Sequence, residues 1–352
     1  VAVAAAIGVG IMVDSFRTTF ADWLDATLHA DIYVSVPGEG AIEPEQLERL
    51  EAVDGVATAT RSRFVRVRAG DHEARLRVFA IPPDAEHGLP FSAGDPEAAW
   101  RAYRQDAAVL ITEPYAWHHD LGVGDRVTLD TGAGPRRFPV AGVVYDYGTS
   151  QGAIIMARST YERYWDDPAV DSVGVFAAPG VAVADLRERL EQATADGQHL
   201  AFQSNQAIRE RSLEIFDQTF TITQVLRILA ILVAVTGALS ALLALALERA
   251  REYAVLRAQG MTPRELGALV TGQNALVGLL SGLFAIPLGI ALAATLTGVI
   301  NQRSFGWSMG LAVDPWILSQ AVGLAVAAAV FAGLVPAWRV AKTPPALALR
   351  EE

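Results

Sequence analysis

Ile228-Leu-Ala-Ile-Leu-Val-Ala-Val-Thr-Gly-Ala-Leu-Ser-Ala-Leu-Leu-Ala-Leu-Ala-Leu247 is a run of twenty residues without a charge. About 20 apolar residues suffice for a helix to cross a bilayer core of about 30 Å. Outward from it lie two more uncharged runs, Leu266–Ile300 with thirty-five residues and Trp316–Trp338 with twenty-three. One such run is compatible with a buried soluble helix; three in the last third of the chain read as membrane spans, at about 225–247, 268–298 and 316–338. The longest exceeds one span, so its first turns are expected outside the core, with a kink at Pro287. A fourth run, Val1–Val13, covers only about 20 Å as a helix, too short to cross. It reads as the outer end of a truncated first span. A trimmed signal peptide is the alternative, and the amphipathic continuation through Leu28 argues against it.

The charges are partitioned in the same way. The 352 residues include 28 basic and 39 acidic side chains, six histidines and no cysteine, with 52% hydrophobic and 19% charged residues. From Ile222 onward there are nine basic and six acidic residues, a net +3, which leaves −14 for residues 1–221. An acidic, water-soluble body thus precedes a slightly basic apolar third. Nucleic acid is excluded as a partner, because phosphate needs a basic footprint. Without cysteine there is no disulfide, zinc–thiolate site, iron–sulfur cluster or thiol nucleophile. Arg249, Arg251, Arg257 and Arg264 precede the second run, and Arg339, Lys342 and Arg350 follow the third. The positive-inside rule puts both groups in the cytoplasm, and parity then puts 301–314 and 14–221 outside. Trp307, Trp316 and Trp338 stand where interfacial aromatics belong.

Gln206–Gln259 has no proline and one glycine, so it is expected as one helix of about 80 Å, capped by Ser204 or Asn205. Its outer part carries a stripe of Leu213, Phe216 and Phe220; the opening segment carries Phe16, Phe20 and Trp23. Two stalk helices packed along these stripes, or ordinary core packing, explain both. Residues 1–30 are read as the truncated span and stalk, 31–203 as the external body, and 204–352 as the second stalk and the spans.

In the body, Asp31–Val36, Val56–Arg68, Glu73–Ile81, Ala107–Thr112, Arg126–Asp130, Arg136–Val144, Ala153–Ala157, Val173–Ala177 and Leu200–Gln203 read as strands. Pro44–Ala52 and Val183–Ala195 read as helices, and 82–104 as a loop-rich connection. The fold class is therefore an α-helical membrane domain, three complete spans plus a truncated first, with an extracytoplasmic α+β domain of two subdomains. One is split between 31–81 and 170–203; the other is inserted and β-rich, at about 105–165.

Motifs for chemistry are weak. The only lysine, Lys342, follows Trp-Arg-Val-Ala, not the glycines that cradle phosphate in a P-loop. His118, His119 and Asp120 could ligate a metal, but adjacent side chains rarely converge and a surface turn fits better. Asp146, before Gly148, reads as a turn carboxylate rather than a base. No catalytic, cofactor-binding or metal residue is assigned. Gly278-Leu-Leu-Ser-Gly282 is a GxxxG step suited to close helix packing.

The segment Glu248-Arg-Ala-Arg-Glu-Tyr-Ala-Val-Leu-Arg-Ala-Gln-Gly-Met-Thr-Pro263 resembles the cytoplasmic loop of FtsX-like permeases, with Glu248, Arg249, Arg251, Glu252, Leu256, Arg257, Gly260 and Met261 matching. The tail Pro336–Arg350 resembles the family's closing motif, and the body, with Gly122-Val-Gly-Asp125 and Phe138–Val144, resembles a MacB-type periplasmic domain. Gln273-Asn274 departs from the pattern, near where many members carry a glutamate.

The resemblance implies the membrane subunit of a type VII ABC transporter in the bacterial inner membrane. It implies a separate cytoplasmic ABC ATPase docking on the eight matching residues, and ATP and Mg bound by that partner rather than by this chain. It also implies a second permease unit, as a homodimer or the other half of a longer chain, and allows a periplasmic partner. The cargo would be lipid, lipoprotein, peptide or drug. The alternative is a signalling or scaffold protein that regulates an external cell-wall hydrolase.

Overall fold

The computed structural model describes residues 2–38, 40–81 and 88–342. The tail motif beyond Lys342 lies outside the described residues. The chain forms two compact units. One comprises 18–215 with 301–308; the other comprises 2–17, 216–300 and 309–342 of the described residues.

The first unit, the body, is built on a mixed sheet. Its strands are β1 (Ile32–Ser35), β2 (Val56–Ala69), β3 (His72–Phe79), β4 (Phe91–Ala93), β5 (Val109–Thr112), β6 (Arg126–Thr131), β7 (Gly134–Val144), β8 (Ile154–Ala157), β9 (Ser172–Ala177) and β10 (Ala201–Ser204). The order is β10-β1-β9-β2-β3-β8-β5-β7-β4, with β6 on β7. The two expected halves share this one sheet. They join where β3 runs parallel to β8, Leu76 opposite Ile154.

Each half has its own core. In one, Leu47 and Leu50 of α2 (Pro44–Glu51) and Leu186 and Leu190 of α6 (Val183–Ala193) cover Ile32, Val34, Val173 and Val175. In the other, β5 is buried on both faces. Val109 and Ile111 meet Tyr115 of α4 (Glu113–His119) and Tyr161 of α5 (Arg158–Tyr164), while Leu110 meets Trp100 and Tyr103 of α3 (Pro96–Gln105). Each such side chain contributes about 1.5–3 kcal/mol on burial.

Helix α3 and strand β4 correct the loop-rich reading of 82–104; residues 82–87 lie outside the described residues. The Asp95 carboxylate accepts from the Ala98 N–H at 3.1 Å, and Pro96 occupies the first turn. That cap starts a helix whose apolar face then has a core to enter.

Four helices are long and apolar enough to cross a membrane; the second unit holds them except for residues 18–27 of the first and 205–215 of the second, which belong to the body unit. They are α1 (Ala2–Thr27), α7 (Asn205–Glu248), α9 (Pro263–Thr295) and α11 (Pro315–Lys342). Ser204 Oγ accepts from the Ala207 N–H and caps α7. The single helix expected over 206–259 is interrupted once, at Arg249, across which the Arg249 N–H still reaches Leu245 O and the Tyr253 N–H reaches Arg249 O, both at 3.1 Å. α7 has 44 residues, about 66 Å, and α8 (Ala250–Ala258) follows after Arg249, whose backbone turns aside at φ −91°, ψ 5°. Tyr253 of α8 is buried against Leu266 and Val270 of α9. α9 continues through Pro287, and a wider turn at Leu296–Asn301 leads to the short α10 (Gln302–Phe305).

Candidate functional site

The eight residues matched at the end of α7 fall on the joint between α7, α8 and α9. Glu248, Arg249, Arg251 and Glu252 are exposed, whereas Leu256 and Met261 pack against the Tyr253, Leu266 and Val270 cluster. Arg257 is half-buried. Gly260 ends α8 at φ +103°, a conformation that L side chains rarely adopt. Its N–H reaches Arg257 O at 3.1 Å, and the Met261 N–H reaches Leu256 O at 3.2 Å, the paired bonds of a Schellman motif. The next helix starts at once. Thr262 Oγ1 accepts from the Glu265 N–H at 3.3 Å, and the Glu265 carboxylate accepts from the Thr262 N–H at 2.8 Å. This capping box, with Pro263 in the first turn, leaves no slack between α8 and α9.

The small residues of α9 are contact points. A Cβ at Gly278 would stand 2.7 Å from Ala329 Cβ, and one at Gly282 would stand 3.2 Å from Val322 Cα, both on α11. Gly289, which the GxxxG step does not include, faces α1: its Cβ would lie 2.6 Å from Ile7. Asn274, buried in α9, lies against Gly333 of α11. Ser15 of α1 is fully buried; its hydroxyl donates to Ala312 O and accepts from the Ala312 N–H.

The aromatic stripes divide between the units. Phe16 meets Phe216 and Phe220 edge-on at 5.0 and 5.8 Å. Phe20 stacks on Trp23, whose indole donates to Tyr145 O in the body. Leu213 is half-buried.

A second arrangement lies at the link between the last two spans. The link 301–308, between the last two spans in sequence, belongs to the body unit. The Glu113 carboxylate accepts from the Ser308 hydroxyl at 2.6 Å and from the Ser308 N–H at 3.0 Å. The Tyr147 hydroxyl donates to Ser308 O at 2.9 Å, and the Trp307 indole donates to Thr149 O at 3.2 Å. Burial, then the nearby Glu113 charge, pushes the Tyr147 phenol upward, so it stays a donor. No sequence-local signal marks this clamp; its members are some 160 to 195 residues apart.

The weak chemical motifs resolve as local structure. His118 Nδ1 lies 2.6 Å from Pro114 O, whereas His119 stacks on His72 at 3.9 Å, so the adjacent imidazoles diverge. Among the described residues no group of three His, Asp or Glu could hold a metal. Asp146, 2% exposed, accepts from the Gly148 N–H at 3.0 Å and pairs with Arg77 at 3.1 Å, outside hydrogen-bond angles on that oxygen.

The family model for a MacB-like periplasmic core domain matches residues 1–193, and that for an FtsX-like permease C-terminal domain matches 225–345. This chain belongs to the FtsX/MacB-type family of ABC transporter permeases. It is a multi-pass protein of the inner membrane with a large extracytoplasmic domain. The permease is 37% identical over 361 residues to the "Uncharacterized ABC transporter permease protein Rv0987" of Mycobacterium tuberculosis, covering all of this chain and 42% of that protein. It is 28% identical over 127 residues to the "Lipoprotein-releasing system transmembrane protein LolC" of Haemophilus influenzae, covering 35% of this chain and 32% of that one. The aligned region thus covers less than half of either relative. The periplasmic region of MacB from Actinobacillus actinomycetemcomitans aligns with 53% of this chain and 94% of its own, at 16% identity and a TM-score of 0.36.

Proposed function

We propose that this permease is a non-catalytic membrane subunit driven by a separate cytoplasmic ATPase, which binds the ATP and Mg. The observation that carries the reading is the exposed Glu248, Arg249, Arg251 and Glu252 face beside the rigid Gly260–Glu265 joint. Retention in the cytoplasm needs arginines but not their alternation with glutamates. A push on α8 is delivered to α9 through Tyr253, Leu256 and Met261, because the Schellman motif and the capping box leave no loop to absorb it. The stalk ends of α1 and α7 then carry movement to the external domain, where lipid, lipoprotein, peptide or drug is exported or extracted. Val225, Leu226, Leu229, Leu232 and Val233 of α7 are each more than half exposed within this chain, which suits contact with lipid and with a second permease unit. The test is co-purification of the ATPase in mild detergent with the Arg249→Glu, Arg251→Glu double variant. Recovery of the ATPase should fall at least tenfold, and unchanged recovery would refute the docking role.

A further inference from the structure

The acidic body carries a basic hairpin, with Arg66, Arg68, Arg75 and Arg77 on one face beside Glu73, and Arg61 and Arg63 on the other. β2 and β3 hold Arg61, Arg63, Arg66, Arg68, Arg75 and Arg77 against Asp71 and Glu73, a net +4 inside residues 1–221 whose total is −14. The hairpin register sets Arg66 directly opposite Arg75. Like charges in such a pair destabilise a sheet, since their Cβ atoms lie only about 4.5–5.5 Å apart. Arg66 and Arg75 line an open groove of about 970 Å³ between the hairpin and the chain after β1. Two other arginines of the groove are already paired, Arg63 with Asp167 and Asp171, and Arg77 with Asp146. Asp171, the carboxylate among the groove's described lining residues, is spent on Arg63 and on the Phe64 N–H. Among the described residues no carboxylate pairs with Arg66 or Arg75, and both are exposed.

We propose that Arg66 and Arg75 form a binding site for the phosphate group of an anionic amphiphile. A guanidinium fork fits phosphate oxygens, and a tetrahedral phosphate has enough terminal oxygens to accept from two forks at once. A carboxylate has only two oxygens to share between two forks, where a phosphate monoester offers three. Phe64, 47% exposed, and Val36 lie in the same groove and supply an apolar wall for the rest of the ligand. The assignment comes from the groove alone and holds whether or not an ATPase drives the chain.

The test uses the full chain in a neutral maltoside detergent and a fluorescent phosphatidic acid probe, with phosphatidylcholine of the same acyl chains as the comparison. The Arg66→Gln, Arg75→Gln variant should bind the phosphatidic acid probe at least tenfold more weakly and the phosphatidylcholine probe unchanged. Its melting temperature should equal or exceed that of the wild type, because the like-charge pair is gone. Displacement of the probe by millimolar inorganic phosphate supports the site with phosphate itself as the determinant; displacement only by lipid supports it with the headgroup in its lipid as the source. Equal probe affinity in variant and wild type overturns the proposal. So does displacement by a polyglutamate peptide as effective as that by phosphatidic acid, or a fall in the variant's melting temperature, which would make the pair structural.

Discussion

Replacing Glu113 by alanine should release the link 301–308 from the body. Among the described residues the carboxylate is the sole acceptor for both the Ser308 hydroxyl at 2.6 Å and the Ser308 N–H at 3.0 Å. Hydrogen bonds to charged groups contribute about 1.5–3 kcal/mol each. Glu113 is only half-buried, so water replaces part of that, and about 2–4 kcal/mol in total is the working figure. At about 1.4 kcal/mol per factor of ten, the open population of the link should rise about 30- to 700-fold. Ser308→Ala removes one of the two bonds and should raise it about 5- to 30-fold. Tyr147 and Trp307 still hold the segment in both variants, so release is local. Amide hydrogen exchange on the full chain reads this directly, as lost protection across 302–309 with the β5, β7 and β8 amides unchanged. If Glu113→Ala leaves protection of 302–309 at the wild-type level while the core is intact, the clamp reasoning is wrong.

Three further outcomes follow from the geometry. Gly289→Ala places a Cβ 2.6 Å from Ile7 and should cost about 1–3 kcal/mol, whereas Gly267→Ala, with nothing within 4 Å, should be neutral; thermal unfolding in detergent separates them, and equal midpoints would refute the close approach. Gly260→Ala forces a Cβ onto φ +103° and should lower the stability of the α8–α9 joint by about 1–2 kcal/mol, seen as faster exchange of the Met261 and Gly260 amides. Burial, and then the charge of the stacked His72, holds the His119 pKa below its ordinary value. The unfolded chain therefore takes up this proton first, so stability should fall as pH drops below about 6.5 and be flat above it; His119→Phe should lessen that slope, and an unaltered slope would refute the assignment.

What the sequence made legible depended on how far a signal reaches along the chain. Val56–Ala69 and His72–Phe79 alternate around Ala69-Gly70-Asp71-His72, and the hairpin pairs Ala69 with His72 as local turn chemistry requires. The spans are legible because absence of charge over twenty residues is a local property with one physical meaning in a membrane. The seven-residue helices Glu113–His119 and Arg158–Tyr164 escaped because two turns are too short for a 3.6-residue period to stand out. The Asp95-Pro96-Glu97 start of α3 was legible as a cap with proline in the first turn, but the surrounding prolines and glycines outweighed it. The parallel pairing of Leu76 with Ile154 has no local signature, because it is decided by which apolar faces find each other.

The transmembrane small residues show the same division within one helix. Gly278, Gly282, Ala285, Gly289 and Ala293 of α9 recur every three or four residues and are all buried, a pattern fully visible in the sequence. GxxxG spacing marks the first two only. Yet that single stripe serves two partners. Gly278 and Gly282 admit Ala329, Ala325 and Val322 of α11, whereas Gly289 admits Ile7 and the Ala4 carbonyl of α1. Small residues state that a backbone approaches closely; they do not state which one. The partner's identity lies in the complementary residues. On α11 these are alanines and valines, which let two backbones close together, and on α1 it is a β-branched isoleucine that fills the notch left by Gly289. Enlarging Ala329 should therefore loosen α9 from α11 and leave the Ile7 contact in place, while Ile7→Ala should empty the notch at Gly289 and leave the α11 seam intact. Cysteine pairs placed across each seam, with cross-linking yields measured in both variants, would separate the two. A coupled loss at both seams would show that the stripe acts as one unit and that this division is wrong.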